Sequence, residues 1–158
     1  MLDPTNIKSS VTNTITEPKK SIPKQPIQPS QEVDNLVIGT SLVHDVGLEL
    51  NYLGHYAMSY SSPGCHIRHI LHRVSCMIHK NFTGNITLLC GGNDCEVFGA
   101  KEVIVFYEEL IEAVHTQAPD CRLLLCAIPP RTGSNCMAYK ICEVNCFLLY
   151  VARHEKDT

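Results

Sequence analysis

The sequence lacks the features of several classes of protein. Its 158 residues carry a formal net charge of −3 at pH 7, so it has no concentrated basic excess of the kind found in nucleic-acid binders. No apolar run reaches the roughly 18 residues that a membrane span requires. The N-terminus begins Met1-Leu2-Asp3-Pro4, without the basic stretch and apolar run of a secretory signal. We therefore expect a cytoplasmic chain with no membrane span and no nucleic-acid partner.

Metal and disulfide frameworks are not indicated either. The nine cysteines are an odd number spread through apolar segments, which predicts reduced thiols, most of them small core residues. Cys90 and Cys95 match no zinc spacing. Four histidines fan over the polar face of one predicted helix, which favours a solvated basic face over a metal site: His66, His69, His72 and His79. We expect no metal and no cofactor.

Residues 1–33 are predicted to be a disordered tail. Five of the nine prolines lie there, among Ser, Thr, Lys and Gln, and large apolar residues are too few to offset the entropy lost on ordering. The proline-rich run at 22–29 favours a solvated linker over a ligand for a partner domain. The composition changes at Asp34, where we place the start of one domain covering residues 34–158.

Apolar runs alternate with amphipathic segments along this domain. Buried strands are predicted at residues 36–38, 57–61, 86–90 and 122–128, and helices at 42–53, 66–80, 100–117 and 136–153. This alternation predicts an α/β fold with a parallel sheet and helices on both faces. Ligands of such sheets bind beyond the carboxyl ends of the strands, so the loops at those ends are the informative ones.

Two of these loops carry groups suited to acyl chemistry. Gly39-Thr40-Ser41 places a hydroxyl directly after the first strand, although a helix N-cap alone would also explain this serine. Gly91-Gly92-Asn93-Asp94 follows the third strand, where the glycines let the backbone approach a ligand and the amide can donate to an oxyanion. A simple Gly-Asn turn is the alternative for this second loop.

Taken together, the ordered blocks resemble those of the SGNH (GDSL-like) hydrolases, serine esterases and lipases with a flavodoxin-like three-layer sheet. The resemblance covers about residues 35–150. Gly39-Thr40-Ser41 resembles the first block, Gly64 the second-block glycine, and residues 91–94 match the third block, Gly-x-Asn-Asp. Pro129-Pro130-Arg131 and Asn145 resemble features that follow the fourth strand.

The resemblance implies specific roles for these residues. Ser41 would be the nucleophile, and its backbone N–H, that of Gly64 and the side chain of Asn93 would form the oxyanion hole. Gly39, Gly91, Gly92 and Asp94 would support this arrangement.

Because of two departures from the family pattern, the resemblance supports the fold more strongly than the activity. Thr40 replaces the usual aspartate beside the nucleophile. The Asp-x-x-His block, which supplies the base in the family, is not found in the sequence up to Thr158, and we expect the last strand and helix of the sheet to be lacking with it. His44 and His66 are the histidines nearest to the blocks, and both are expected to face solvent.

The sequence therefore leaves two functions open, and does not decide whether the chain is an enzyme. The first is a serine hydrolase acting on small acyl esters. The second is a non-catalytic SGNH-like remnant or interaction domain, such as one attached to a mobile-element protein. In the second case the apolar strand at 122–128 would be an exposed sheet edge, which predicts a homodimer or a partner that completes the sheet.

Overall fold

A computed structural model describes residues 33–131 and 135–154. Four parallel strands form one sheet in the order β2-β1-β3-β4: β1 (Asn35–Gly39), β2 (Ala57–Ser61), β3 (Asn85–Leu89) and β4 (Arg122–Leu125). All four predicted strands are thus confirmed, and the fourth lies at an edge of the sheet. The predicted tail, apart from Val33, lies outside the described residues.

Helices flank the sheet, as predicted for an α/β fold. A 3₁₀ helix (Ser41–Val43) and α1 (Val46–Tyr52) pack on β1 and β2. The remaining helices contribute to a single large core cluster with the strands: α2 (Ile67–Leu71), α3 (Val74–Met77), α4 (Gly92–Val97), α5 (Ala100–Gln117) and α6 (Asn135–His154). Within the described residues, none of the helices combines the length and the apolar character needed to cross a membrane.

The long helix α5 forms where the sequence predicts it. Its six predicted inward residues are all buried, namely Val103, Phe106, Tyr107, Leu110, Ile111 and Val114. They recur with the helical period and give α5 one continuous apolar face against the sheet and its neighbouring helices. This burial makes α5 the central helix of the core.

Helix boundaries differ from the prediction in three places. The predicted helix at 42–53 is the 3₁₀ helix and α1, separated at His44 and Asp45. The predicted helix at 66–80 is two short helices, α2 and α3, interrupted at His72 and Arg73. Ile70 and Val74 remain buried on either side of the break, so the apolar face survives it and the periodicity does not reveal it. Helix α4 was not predicted because its first residues are the glycines and the asparagine of a turn-like sequence.

The prediction that most cysteines are core residues is wrong. Only Cys65, Cys90 and Cys95 are buried, whereas Cys76, Cys136, Cys142 and Cys146 are exposed. Three of the exposed cysteines lie on α6, which buries Ile141, Val144 and Leu148 on its opposite face. An amphipathic helix has room for only one buried stripe, so these thiols point outward.

Candidate active site

The turn after β1 is built around a close backbone approach at Gly39. A Cβ atom on Gly39 would lie 2.2 Å from the carbonyl oxygen of Leu89, so the turn accepts only glycine without movement. The next N–H, that of Thr40, donates to the same Leu89 oxygen at 3.2 Å. Ser41 then begins the 3₁₀ helix and is exposed to solvent. The tight turn thus presents the Ser41 side chain at the carboxyl edge of the sheet.

The turn after β2 is fastened directly to the turn after β1. The Ser62 N–H donates to the Gly39 carbonyl oxygen at 3.0 Å, and the Ser61 hydroxyl donates to the Thr40 carbonyl oxygen at 2.9 Å. Gly64 lies two residues further on with a φ of +73°, a left-handed conformation that favours glycine. These bonds keep the segment carrying Gly64 beside the segment carrying Ser41.

The turn after β3 brings Asn93 to the same edge. Gly91 has a φ of +89°, and a Cβ there would lie 2.7 Å from the Tyr107 hydroxyl. Asn93, in the first turn of α4, donates from Nδ2 to the Cys65 carbonyl oxygen at 2.9 Å. Its Oδ1 accepts a hydrogen bond from Arg131 at 3.0 Å. The Asn93 amide is therefore held at both ends and points its nitrogen towards the Gly64–Cys65 turn.

Asp94 holds the segment that follows the Gly64–Cys65 turn. It is fully buried, and its two carboxylate oxygens each lie 3.2 Å from the Ile67 nitrogen, which donates to them. Burial raises the pKa of Asp94, while the Ile67 N–H and the neighbouring His66 oppose the rise. Nδ1 of His66 lies 3.3 Å from the Asp94 Oδ1 atom. The expectation that His66 faces solvent is wrong, because its side chain is only 31% exposed and packs against this carboxylate.

Three hydrogen-bond donors remain available around Ser41 and Gly64. Within residues 33–131 and 135–154, the backbone N–H groups of Ser41 and Gly64 have no hydrogen-bond partner. Asn93 Nδ2 carries two hydrogens, of which Cys65 takes one. The loops that carry the predicted oxyanion groups therefore meet at one edge, with donors left over.

A base for Ser41 is not brought into place by these contacts. In the part of the chain that the structure describes, the Ser41 hydroxyl makes no hydrogen bond. His44 follows the 3₁₀ helix and is exposed as expected, with its Nε2 atom 3.9 Å from Oδ1 of Asp45. The two histidines near the site are thus each beside a carboxylate, His44 at the surface and His66 partly inside.

Arg131 is a site residue whose role the sequence did not reveal. It follows β4, binds the Asn93 side chain and forms an ion pair with Glu96. Its guanidinium also packs on Gly92, where a Cβ would lie 2.9 Å from Nη2. The sequence signal was available, because a cation after the fourth strand of a parallel sheet lies at the same edge as the third-strand loop.

Asn145 closes the loop after β4. Its side chain accepts a hydrogen bond from the Ile128 N–H at 2.8 Å and donates to the Ile128 carbonyl oxygen at 3.0 Å. Both backbone groups of Ile128 are satisfied by one amide, which ties the segment before Arg131 to α6. This contact gives the asparagine singled out in the sequence a structural role.

Comparison with known proteins gives a match at the level of fold. No family model matches the sequence, and no curated protein matches it at a significant level. A Streptococcus pneumonia protein whose description names platelet activating factor superposes with a TM-score of 0.64 at 22% identity, over 78% of this chain and 62% of that chain. This chain therefore spans less than two thirds of that protein.

Two further solved structures also match this chain at the level of fold. A member of the lipolytic G-D-S-L family from Veillonella parvula gives a TM-score of 0.60 at 20% identity, over 77% of this chain and 73% of that one. An acetyl xylan esterase gives a TM-score of 0.54 at 15% identity, over 78% of this chain and 84% of that one. The chain has the α/β fold of the SGNH (GDSL) hydrolases.

Proposed function

We propose that this domain is a serine ester hydrolase of the SGNH type that acts on small acyl esters. One observation carries the proposal: the exposed Ser41 begins a helix after β1, its hydroxyl and N–H are both unpartnered within the described residues, and its turn is hydrogen-bonded to the turn that carries Gly64. A free serine hydroxyl is suited to attack a carbonyl carbon, and unused N–H donors on the adjoining turn are suited to bind the oxyanion that develops.

The reaction has two steps. The Ser41 oxygen attacks the ester carbonyl carbon, its proton passes to a base, and the carbonyl oxygen becomes an oxyanion that accepts hydrogen bonds from Ser41, Gly64 and Asn93. The alcohol leaves with a proton and an acyl-enzyme remains, which water then hydrolyses. Each oxyanion donor is commonly worth a factor of about 10² to 10³ in rate.

The proposed reaction requires a base that takes the proton of the Ser41 hydroxyl. An imidazole fits the role, and the two histidines nearest to the candidate site, His44 and His66, are the candidates to test. When Nδ1–H of His66 faces Asp94, its Nε2 carries the basic lone pair, which is the tautomer that a carboxylate partner fixes in serine hydrolases. Separate His44→Gln and His66→Gln variants identify the base by the larger loss of kcat.

Turnover of p-nitrophenyl acetate tests the proposal. We expect Ser41→Ala to lose at least two orders of magnitude in kcat/KM. Ser75→Ala, at an exposed serine on α3, serves as the matched control and should keep the wild-type rate. Equal rates for wild-type and Ser41→Ala protein would reject the hydrolase.

The sheet edge supports a second candidate function, a non-catalytic interaction domain. Strand β4 has no neighbour on its outer side within the described residues, and Leu124 is 38% exposed there. Tyr139 and Tyr150 on α6 are 77% and 60% exposed. Such an edge suits a homodimer or a partner that extends the sheet. Light scattering should then show association that Leu124→Lys weakens, and a monodisperse monomer would argue against this function.

A further inference from the structure

A cleft lies beside the turn that carries Gly64, between the end of β2 and the segment of α2 and α3. Its volume is about 400 Å³. One wall consists of Tyr60 and residues 62–65, and the other includes His69, His72 and Arg73. The break between α2 and α3 falls at His72 and Arg73, and it is there that Arg73 reaches across to the hydroxyl of Tyr60. The helix interruption therefore shapes the basic wall of this cleft.

The cleft contains an arginine and two histidines but no carboxylate. Within the described residues, no carboxylate forms an ion pair with Arg73. Burial raises the pKa of the Cys65 thiol; the Asp94 charge adds to the rise and the Arg73 charge opposes it, so both charges are felt at the turn next to Gly64. An unpaired guanidinium in a concave site is suited to bind an anion.

Several side chains of the cleft have hydrogen-bond donors that are still available. The Tyr60 hydroxyl accepts a hydrogen bond from Arg73, which leaves its own proton to donate. Nδ1 of His69 accepts the His66 N–H at 3.0 Å, so a neutral His69 ring carries its proton on Nε2 and donates from there. Arg73 uses one of its five N–H groups on Tyr60 and has others left.

The cleft and the candidate active site share a wall. Residues 62–65 line the cleft, and the same turn is hydrogen-bonded to Gly39 through the Ser62 N–H and to Thr40 through the Ser61 hydroxyl. An ester whose carbonyl oxygen sits at the Gly64 N–H would extend a substituent along this turn towards Arg73. Binding energy from that substituent would position the ester for attack.

We infer that this cleft binds an anionic group, a phosphate or a carboxylate, carried by the ester substrate. Arg73 supplies the charge, and Tyr60 and His69 supply hydrogen bonds to the anionic oxygens. The inference depends on the proposed hydrolase for the identity of the ligand as a substrate. The binding of an anion to the cleft can be measured without turnover.

Binding of inorganic phosphate to the full chain, followed by amide chemical shifts, tests the site itself. We expect shifts at Gly64 and Arg73 with a millimolar Kd, at least tenfold weaker binding in Arg73→Gln, and unchanged binding in Arg153→Gln, which removes the same charge from the end of α6. Circular dichroism and thermal melts confirm that both variants fold. Absence of phosphate binding, or equal binding by wild-type and Arg73→Gln protein, would overturn the inference.

Turnover distinguishes a substrate group from a free anion. The kcat/KM for p-nitrophenyl hydrogen glutarate, divided by that for the neutral p-nitrophenyl acetate, should fall about tenfold in Arg73→Gln and stay constant in Arg153→Gln. An unchanged ratio with intact phosphate binding would reject the substrate assignment. Phosphate binding by a protein with no Ser41-dependent turnover would reject the hydrolase and leave the anion site in place.

Discussion

Asn93 donates a hydrogen bond to the carbonyl oxygen of Cys65 at 2.9 Å, so the turn after β3 holds the turn after β2. The carboxylate of the next residue, Asp94, accepts a hydrogen bond from the Ile67 N–H. Two consecutive side chains of α4 thus fix the segment that follows Gly64. This segment belongs to the same turn that the Ser62 N–H fastens to Gly39.

Removal of the Asn93 side chain should affect catalysis more than stability. We expect Asn93→Ala to lower kcat for p-nitrophenyl acetate by about 10²- to 10³-fold, since an oxyanion donor is lost. The lost hydrogen bonds to Cys65 and Arg131 should reduce the free energy of unfolding by about 1–3 kcal/mol. Steady-state kinetics and urea unfolding measure the two effects. Asn81→Ala, at an exposed asparagine, is the control, and an unchanged kcat in Asn93→Ala would exclude the oxyanion role.

The turn before Ser41 should not tolerate a methyl group. A Cβ on Gly39 would lie 2.2 Å from a backbone oxygen, so Gly39→Ala must displace β1 from β3. We expect a loss of about 1–3 kcal/mol in the free energy of unfolding. Gly99→Ala is the matched control, because its Cβ would meet only the flexible end of Glu102 at 3.4 Å. Similar melting temperatures for the two variants would contradict the close approach.

Burial of Asp94 should make stability depend on pH. Burial raises its pKa above the ordinary value of 3.8, so folding favours the protonated carboxyl. The stability that this preference contributes is fully present below pH 3.8 and is lost as the pH rises through the raised pKa of the folded state. Relative to Asp94→Asn, wild-type protein should therefore lose unfolding free energy over that range. A difference that is independent of pH would refute this, and Asp120→Asn, at an exposed carboxylate, is the control.

The cysteines should divide into two reactivity classes. Burial raises the pKa of Cys90 to about 12, so almost no reactive thiolate is present near pH 8. Burial also raises the pKa of the Cys65 and Cys95 thiols. Iodoacetamide followed by peptide mapping should label exposed Cys142 and Cys146 within minutes and leave the three buried thiols unmodified. Rapid labelling of Cys90 in the folded protein would contradict the core packing.

The sequence predicted those parts of the structure that depend on local periodicity. Helix α5 matches its predicted bounds because its apolar face is continuous over five turns. Strands β1, β3 and β4 were found because each is a short apolar run that ends at a glycine or a proline. The break at Arg73 was missed because it leaves the apolar spacing of Ile70 and Val74 intact.

The sequence predicted which loops lie at the carboxyl edge of the sheet, but not the contacts between them. Ser41, Gly64 and Asn93 follow strand ends, and parallel strands bring such ends together. The pairing of His66 with Asp94 joins residues 28 positions apart through tertiary packing alone, and no local pattern predicts it. The bond between Arg131 and Asn93 also depends on tertiary packing, because β4 lies beside β3, although the position of Arg131 after the fourth strand already places it at the same edge of the sheet.

Covalent labelling tests directly whether Ser41 is an activated nucleophile. A fluorophosphonate reacts with a serine that is activated as a nucleophile and mimics the tetrahedral intermediate in the oxyanion hole. We predict a single adduct, located on Ser41 by peptide mass spectrometry, absent from Ser41→Ala and slowed in Asn93→Ala. A protein that stays unlabelled, or an adduct on another serine in both wild-type and Ser41→Ala protein, would contradict the assignment of Ser41 as the nucleophile.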